Sequence, residues 1–174
     1  MARVPYVEEQ DRPELAELIA TIKAQRGGRL LNLYKLLLHS PPVVEGWLHL
    51  MTAIRQRANL DARTRELVIT QVAVVNCADY EYRAHAPLAL QAGVTQAQLD
   101  ALGAWRDSDA FDSRDRAVLA YAESMTREIH VPSELFDAVA AHFDARELVE
   151  LTTTIASYNM VSRFLEALAI DPQT

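Results

Sequence analysis

Three side chains have the types and spacing to do proton chemistry: Glu66, Glu81 and His85. Glu81 and His85 are four residues apart, so on a helix they stand one turn apart on one face. Glu66 lies fifteen residues before Glu81, on an earlier helical pattern in which Glu66, Thr70, Ala73 and Cys77 recur at spacings of four, three and four. A short break near Asn76 to Asp79 separates the two patterns. If that break folds one helix back on the other, two carboxylates and an imidazole converge. Such a group in a partly dry pocket suits general acid–base catalysis. Burial and a neighbouring like charge both raise the proton affinity of a carboxyl group, and an imidazole can hold the proton a carboxylate releases. The same residues also have a plainer use. A Glu and a His at this spacing form solvated helix pairs worth about 0.2–0.5 kcal/mol, and Glu66 suits the first turn of a helix, where the helix dipole favours negative charge.

The other chemistry-bearing residues point to less. His39, His49, His130 and His142 fall on separate segments without the spacing of metal ligands. Glu66, Glu81 and His85 lack a second convergent histidine, so no metal site is expected. Cys77 is the single cysteine, which excludes an internal disulfide and a cysteine-rich zinc site. Its place just beyond an apolar helix is that of a small buried hydrophobe. Gly27-Gly28 stands alone, without the glycine-rich pattern that cradles phosphate. Arg83 and Arg163 are candidate carboxylate clamps or ordinary surface arginines.

The elements that must position these groups are helical throughout. Pro13 to Gln25 forms a first helix with Asp11 as its cap and Pro13 in the first turn, where a missing N–H costs nothing. Leu30 to Leu38 follows at spacings of three and four until Ser40-Pro41-Pro42 breaks the pattern, and a stripe from Val44 to Ile54 trails into Arg57. Asp61 caps a fourth helix whose stretch from Leu67 to Val75 is apolar on almost every side, which marks it as central. A fifth helix ends at Gly93, and Thr95 caps a short sixth. Arg106 to Ser113 reads as a loop, followed by helices over Arg114 to Arg127 and Pro132 to Phe143. Asp144 caps a last helix to about Ala169 with two apolar lanes, Leu148, Leu151, Ile155 and Leu165 on one and Val149, Ala156, Met160 and Phe164 on the other. The second lane calls for a partner, such as another subunit. Nothing alternates as a strand does, so the chain is all-α.

At 174 residues, half of them hydrophobic and five of them glycine, the chain fits a single folded domain over 1–174. A net charge of −7 argues against nucleic acid as a partner, because no basic excess exists to release counterions. No apolar run reaches the length of a membrane span or a signal peptide, so a cytoplasmic protein without a membrane partner is expected.

Arg65-Glu66-Leu67, then Tyr80-Glu81-Tyr82-Arg83-Ala84-His85-Ala86-Pro87-Leu88-Ala89, and on to Ala92-Gly93-Val94-Thr95, resembles the carboxymuconolactone decarboxylase family. The alkylhydroperoxidase AhpD proteins belong to the same superfamily. The likeness extends through Leu38-His39-Ser40-Pro41 and Trp47, and through Ser157-Tyr158-Asn159-Met160-Val161 to Phe164-Leu165, covering roughly 31–170. It implies an AhpD-like helical bundle of about seven to nine helices, assembled as a trimer or hexamer. Peroxidatic members have a Cys-x-x-Cys pair whose positions fall here on Ala78 and Glu81. A dithiol cycle needs a resolving thiol, and Cys77 has none. The resemblance is therefore to the branch without the cysteine pair. It implies His85 as proton donor or acceptor, Glu81 as its partner, Glu66 as the rest of the relay, and Tyr80 or Tyr82 positioning a small-molecule substrate. No organic cofactor is implied. The expected function is an acid–base enzyme, a carboxy-lyase, acting on a small carboxylated or lactone-like compound. The alternatives are a peroxidase using Cys77 alone and a helical oligomer that binds a ligand without turning it over.

Overall fold

The computed structural model describes residues 2–172, which contain nine α-helices and no strand. These are α1 (Ala16–Gln25), α2 (Asn32–Leu37), α3 (Pro41–Thr52), α4 (Ala62–Val75), α5 (Asp79–Gln91), α6 (Gln96–Ala101), α7 (Ser113–Arg127), α8 (Ser133–Ala140) and α9 (Ala145–Leu168). The expected all-α class holds. The chain divides into two compact units, one running up to Ala58 and resuming at Leu165, the other Asn59–Phe164.

In the first unit Ile22, Leu38 and Val44 are completely buried. Two boundaries differ from the periodic pattern. Ser40-Pro41-Pro42 starts α3 instead of merely breaking α2, because the fixed φ of proline suits a first turn whose N–H groups have no helical acceptor. Pro13–Leu15 is a separate 3₁₀ turn with Arg12 at its cap, and Asp11 instead closes a capping box with Glu8. After α3 the backbone widens into a π-helical turn, Ala53–Arg57. Arg26 is buried here, its Nε donating to the Tyr34 hydroxyl at 2.7 Å and its guanidinium to Thr52 Oγ1 at 3.2 Å.

The second unit is built around α4. Its cap is as expected, with the Asp61 carboxylate accepting from the Thr64 N–H at 2.8 Å. Every residue from Glu66 to Ala73 is buried. The helix packs against α5 and α7, and Leu67, Ala89, Leu99, Trp105, Phe111 and Leu119 belong to one apolar cluster. Thr95 and Gln98 form a capping box on α6. The segment expected as a loop begins as a 3₁₀ turn, Leu102–Asp107, because Trp105 and Phe111 are both buried and tie it down. Arg116 reinforces it by donating to the Phe111 and Arg106 carbonyls at 3.2 Å each. α8 stops at Ala140, short of Phe143. Asp144 caps α9, accepting from the Glu147 N–H at 2.8 Å.

The two lanes of α9 have different fates. Leu151, Ile155 and Leu165 are buried, while Val149 is 65% and Met160 39% exposed, with Ala156 exposed between them. No helix among the described residues is long and apolar enough to cross a membrane.

A largely buried ion pair ties α4 to α7. Arg63 donates to both oxygens of Asp115 at 2.7 Å, and Gln98 of α6 donates to the same carboxylate at 3.1 Å. The Asp115 carboxylate raises the pKa of Arg63 through these bonds, against the effect of burial. The Asp115 side chain is 5% exposed and that of Arg63 30%. The two partners are therefore unequal. Removing the arginine strands a buried carboxylate, whereas removing the aspartate leaves a guanidinium that can still turn to water. Arg63→Met is expected to lose about 3 kcal/mol in urea denaturation, Asp115→Leu less, and the double variant less than the sum of the two. Equal losses for the two single variants would show that the asymmetry of burial has no energetic weight.

Candidate functional site

The second unit brings together the residues expected to do the chemistry. Glu66 lies in the buried stretch of α4 and is 3% exposed; His85 lies on α5 and is 7% exposed. The antiparallel return through Asn76 to Ala78 sets the His85 Nδ1 at 2.8 Å from Glu66 Oε2. Arg65 donates from Nε to the other oxygen, Oε1, at 3.3 Å. Thr70, one turn further along α4, turns its hydroxyl back onto the Glu66 and Leu67 carbonyls, both at 2.9 Å, and does not compete for the carboxylate.

Glu81 is 1% exposed, one turn before His85. The hydroxyl of Ser162 on α9 is 3.0 Å from Glu81 Oε2 and also 3.0 Å from the Tyr158 carbonyl, so its one proton serves one acceptor at a time. Tyr158 sets its ring edge-on to His85, with centroids 5.0 Å apart and planes at 87°. The solvated-pair reading of Glu81 and His85 fails on this burial. Glu66, His85, Tyr158, Ser162 and Glu81 form a continuous group drawn from α4, α5 and α9.

Tyr158 and Ser162 are the residues that helix-face reasoning on α4 and α5 leaves out. A signal for them exists: they are polar, four residues apart, and share the buried side of α9 with Ile155 and Leu165. A second polar link runs beside them. Asn76 donates to Asn159 Oδ1 at 3.1 Å, and Asn159 donates to Thr126 of α7 at 3.0 Å. This link holds α9 against the end of α4.

The carboxymuconolactone decarboxylase family matches residues 41–124. YnjA, an uncharacterized protein of Escherichia coli K12, is 32% identical over 129 residues, which are 74% of this chain and 68% of YnjA. The chain belongs to the carboxymuconolactone decarboxylase family. YdfG, an uncharacterized protein of Bacillus subtilis 168, is 27% identical over 120 residues, 68% of this chain and 82% of YdfG. Among solved structures, the alkylhydroperoxidase AhpD core of an uncharacterized peroxidase-related protein from Ralstonia eutropha JMP134 superposes with a TM-score of 0.83 at 19% identity, covering 99% of this chain and 92% of that one. At that identity the likeness shows an AhpD-like fold and no more.

Glu66, Glu81 and His85 all fall inside the stretch the family matches, whereas Tyr158 and Ser162 fall outside it. Tyr80 is half-buried near the start of α5. Tyr82 turns to another face of α5 and packs on the apolar cluster with Trp105 and Leu119. Burial, and then the Asp100 charge, push its phenol pKa up. Cys77 departs from the buried position expected for it. It takes a left-handed conformation, φ 53°, just beyond the end of α4, which turns its thiol outward into an exposed position. Arg83 is exposed and pairs with Asp79 at 2.7 Å, and Arg163 is held by Asn159. His39, His49, His130 and His142 are all exposed.

Removing the Ser162 hydroxyl takes a donor from a carboxyl group with almost no access to water. Ser162→Ala is expected to lose about 1–3 kcal/mol of folding stability by chemical denaturation. A loss below half a kcal/mol, on the order of a typical surface change, would show that Glu81 does not depend on α9.

Proposed function

We propose that this protein is a cytoplasmic, cofactor-free acid–base enzyme that decarboxylates a small lactone-like acid, with His85 as the proton-transfer group and Glu81 and Glu66 as its partners. The observation that supports this reading best is the buried 2.8 Å contact between His85 Nδ1 and Glu66 Oε2. A carboxylate on Nδ1 fixes the ring and its tautomer, and leaves Nε2 as the nitrogen that gives and takes a proton. Tyr158 limits rotation of the same ring from its edge. Glu81, held from α9, adds a second carboxyl group on the face of α5 that presents His85.

In the reaction, the bond between the substrate's carboxylate carbon and the ring breaks, and carbon dioxide leaves. The electron pair of that bond passes into the conjugated lactone. The carbon that accumulates the pair takes its proton from His85, and solvent restores the proton. Tyr80 would bear on ligand placement from the same helix turn; Tyr82, packed on the apolar cluster, would act through the wall of the site. The peroxidase reading, which a neighbour's name suggests, needs a second thiol to close a disulfide, and the chain has one cysteine. Turnover of a small-molecule substrate, and not its binding alone, distinguishes the enzyme from a ligand-binding oligomer.

Carbon dioxide release and ultraviolet absorbance change on 4-carboxymuconolactone test the reading. Wild type should turn over, and Glu81→Gln should lower kcat/KM by about a hundredfold, equivalent to about 2.7 kcal/mol of transition-state stabilisation. Unchanged turnover in both Glu81→Gln and His85→Ala would overturn the assignment of the site. The exposed lane of Val149, Ala156 and Met160 on α9 supports a homo-oligomer, a trimer or hexamer as in the family. Light scattering should give at least three times the chain mass of 19.5 kDa, and a charge placed at Val149 should lower it. A monomer at micromolar concentration would leave that lane without the expected role.

A further inference from the structure

Two groups share the buried carboxylate of Glu66. His85 Nδ1 lies 2.8 Å from Oε2, and Arg65 Nε donates to Oε1 at 3.3 Å. The Arg65 side chain is 16% exposed, that of His85 8% and that of Glu66 4%, so water does little to screen the three from one another. Glu66 is the one carboxylate within ion-pair distance of the Arg65 guanidinium among the described residues. The other groups around the ring are Glu81, one turn back on α5, and Tyr158 and Ser162 from α9. When ionised, Glu81 adds to the pull of Glu66 on a proton, and the two α9 residues bring hydroxyl groups and no cation. Arg65 is the permanent positive charge of this group.

The two partners of Glu66 differ in kind. A guanidinium is always charged, whereas an imidazole gains and loses its charge near neutrality. With Arg65 in place, an ionised Glu66 and a neutral His85 make a balanced buried arrangement, the imidazole donating its Nδ1–H to the carboxylate. One more proton then leaves an excess of positive charge where little water reaches, and that charge is costly. Without the arginine, the Glu66–His85 pair becomes neutral only by taking up that proton. It does so as an imidazolium beside a carboxylate, or as an imidazole beside a carboxylic acid. Either way the proton belongs to the pair, and its affinity rises when the neighbouring cation is lost.

We propose that Arg65 is a positioning residue that acts through Glu66: it holds down the proton affinity of the Glu66–His85 pair and keeps His85 neutral at rest, with its proton on Nδ1. The imidazolium that forms in such a setting is a stronger acid than one locked in an ion pair, and gives its proton up more readily near neutral pH. The use of that acidity in turnover rests on the acid–base reading of the site. The charge balance does not, and it is measured without substrate.

The test is a nuclear magnetic resonance titration of the five histidines in the isotopically labelled full-length protein. The His85 signals are identified by their loss in His85→Gln. In the wild type at neutral pH, His85 should be an uncharged ring protonated on Nδ1. In Arg65→Gln the midpoint of its titration should rise by about one unit or more, the size expected of one nearby charge. Arg65→Lys, which keeps the charge, should recover at least half of that rise. Arg83→Gln, which removes an exposed arginine from α5 itself, should leave the midpoint where it is. An imidazolium in the wild type at neutral pH would overturn the proposal without any variant, so the test survives a failure of Arg65→Gln to fold. An unchanged or lowered midpoint in folded Arg65→Gln would also overturn it. So would an equal rise in Arg65→Lys, which would assign the effect to lost packing. A protein that shows the expected shift yet turns over no lactone acid would keep the role of Arg65 and count against the decarboxylase reading alone.

Discussion

From Glu66 to Ala73, α4 is closed to water on every side, and most of what is distinctive in this protein follows from that constraint. A buried apolar helix needs no partners beyond packing. A buried polar one must have each group matched or bear the cost of leaving it bare. The stretch contains three polar side chains, and each is handled differently. Thr70 spends its hydroxyl on its own helix carbonyls. Glu66 takes His85 from α5 and Arg65 from its own first turn. Gln71 has a carbonyl oxygen that finds nothing among the described residues. A threonine satisfied locally is compatible with a purely structural helix. A glutamate that recruits a histidine from another helix, and a glutamine carbonyl buried without a match, both cost stability that packing alone does not require.

The same constraint explains the use of α9. Glu81 and His85 stand on one face of α5 a full turn apart, and His85 meets Glu66 of α4 while Glu81 meets Ser162 of α9. The buried lane of α9 meets that face with Tyr158 and Ser162, again a turn apart, so Glu81 and His85 each have a neighbour on α9. The Asn76–Asn159–Thr126 link then fixes where α9 sits against the turn between α4 and α5. A chain that simply had to bury its hydrophobic residues would not place two hydroxyls, an imidazole and two carboxyl groups in its driest region. Burying them costs stability that their mutual contacts must offset.

Much of this was legible in the sequence, and the reasons differ by element. The helix starts at Asp61, Thr95 and Asp144 could be read because a capping side chain bonds a backbone N–H three residues away, a purely local event. The meeting of Glu66 with His85 could be anticipated because spacing places each on a helix face and the short break leaves little choice of packing. The Pro41–Pro42 boundary was ambiguous for a local reason too, since prolines end one helix and start the next equally well. The 3₁₀ turn over Leu102–Asp107 was hidden in a polar stretch because Trp105 and Phe111 act through tertiary burial that composition does not register. Ser162 lies 81 residues from Glu81. No periodicity relates positions that far apart.

The most instructive difference is a single residue. The first cysteine of the pair that peroxidatic relatives carry would stand where Ala78 does, one position after Cys77. Ala78 is 1% exposed, at the cap of α5, while Cys77 takes the left-handed turn and faces outward. Moving a thiol by one position therefore changes its surroundings from the buried end of the His85 helix to the wall of a separate cavity. Restoring the dithiol would take two changes at once, a cysteine in place of Ala78 and another in place of Glu81, and the second would remove the carboxyl group that Ser162 holds. The dithiol and the buried carboxyl group thus compete for the position of Glu81. With glutamate there, the helix that bears His85 also bears a buried carboxyl group bonded by Ser162 at the position where the pair's second thiol would stand.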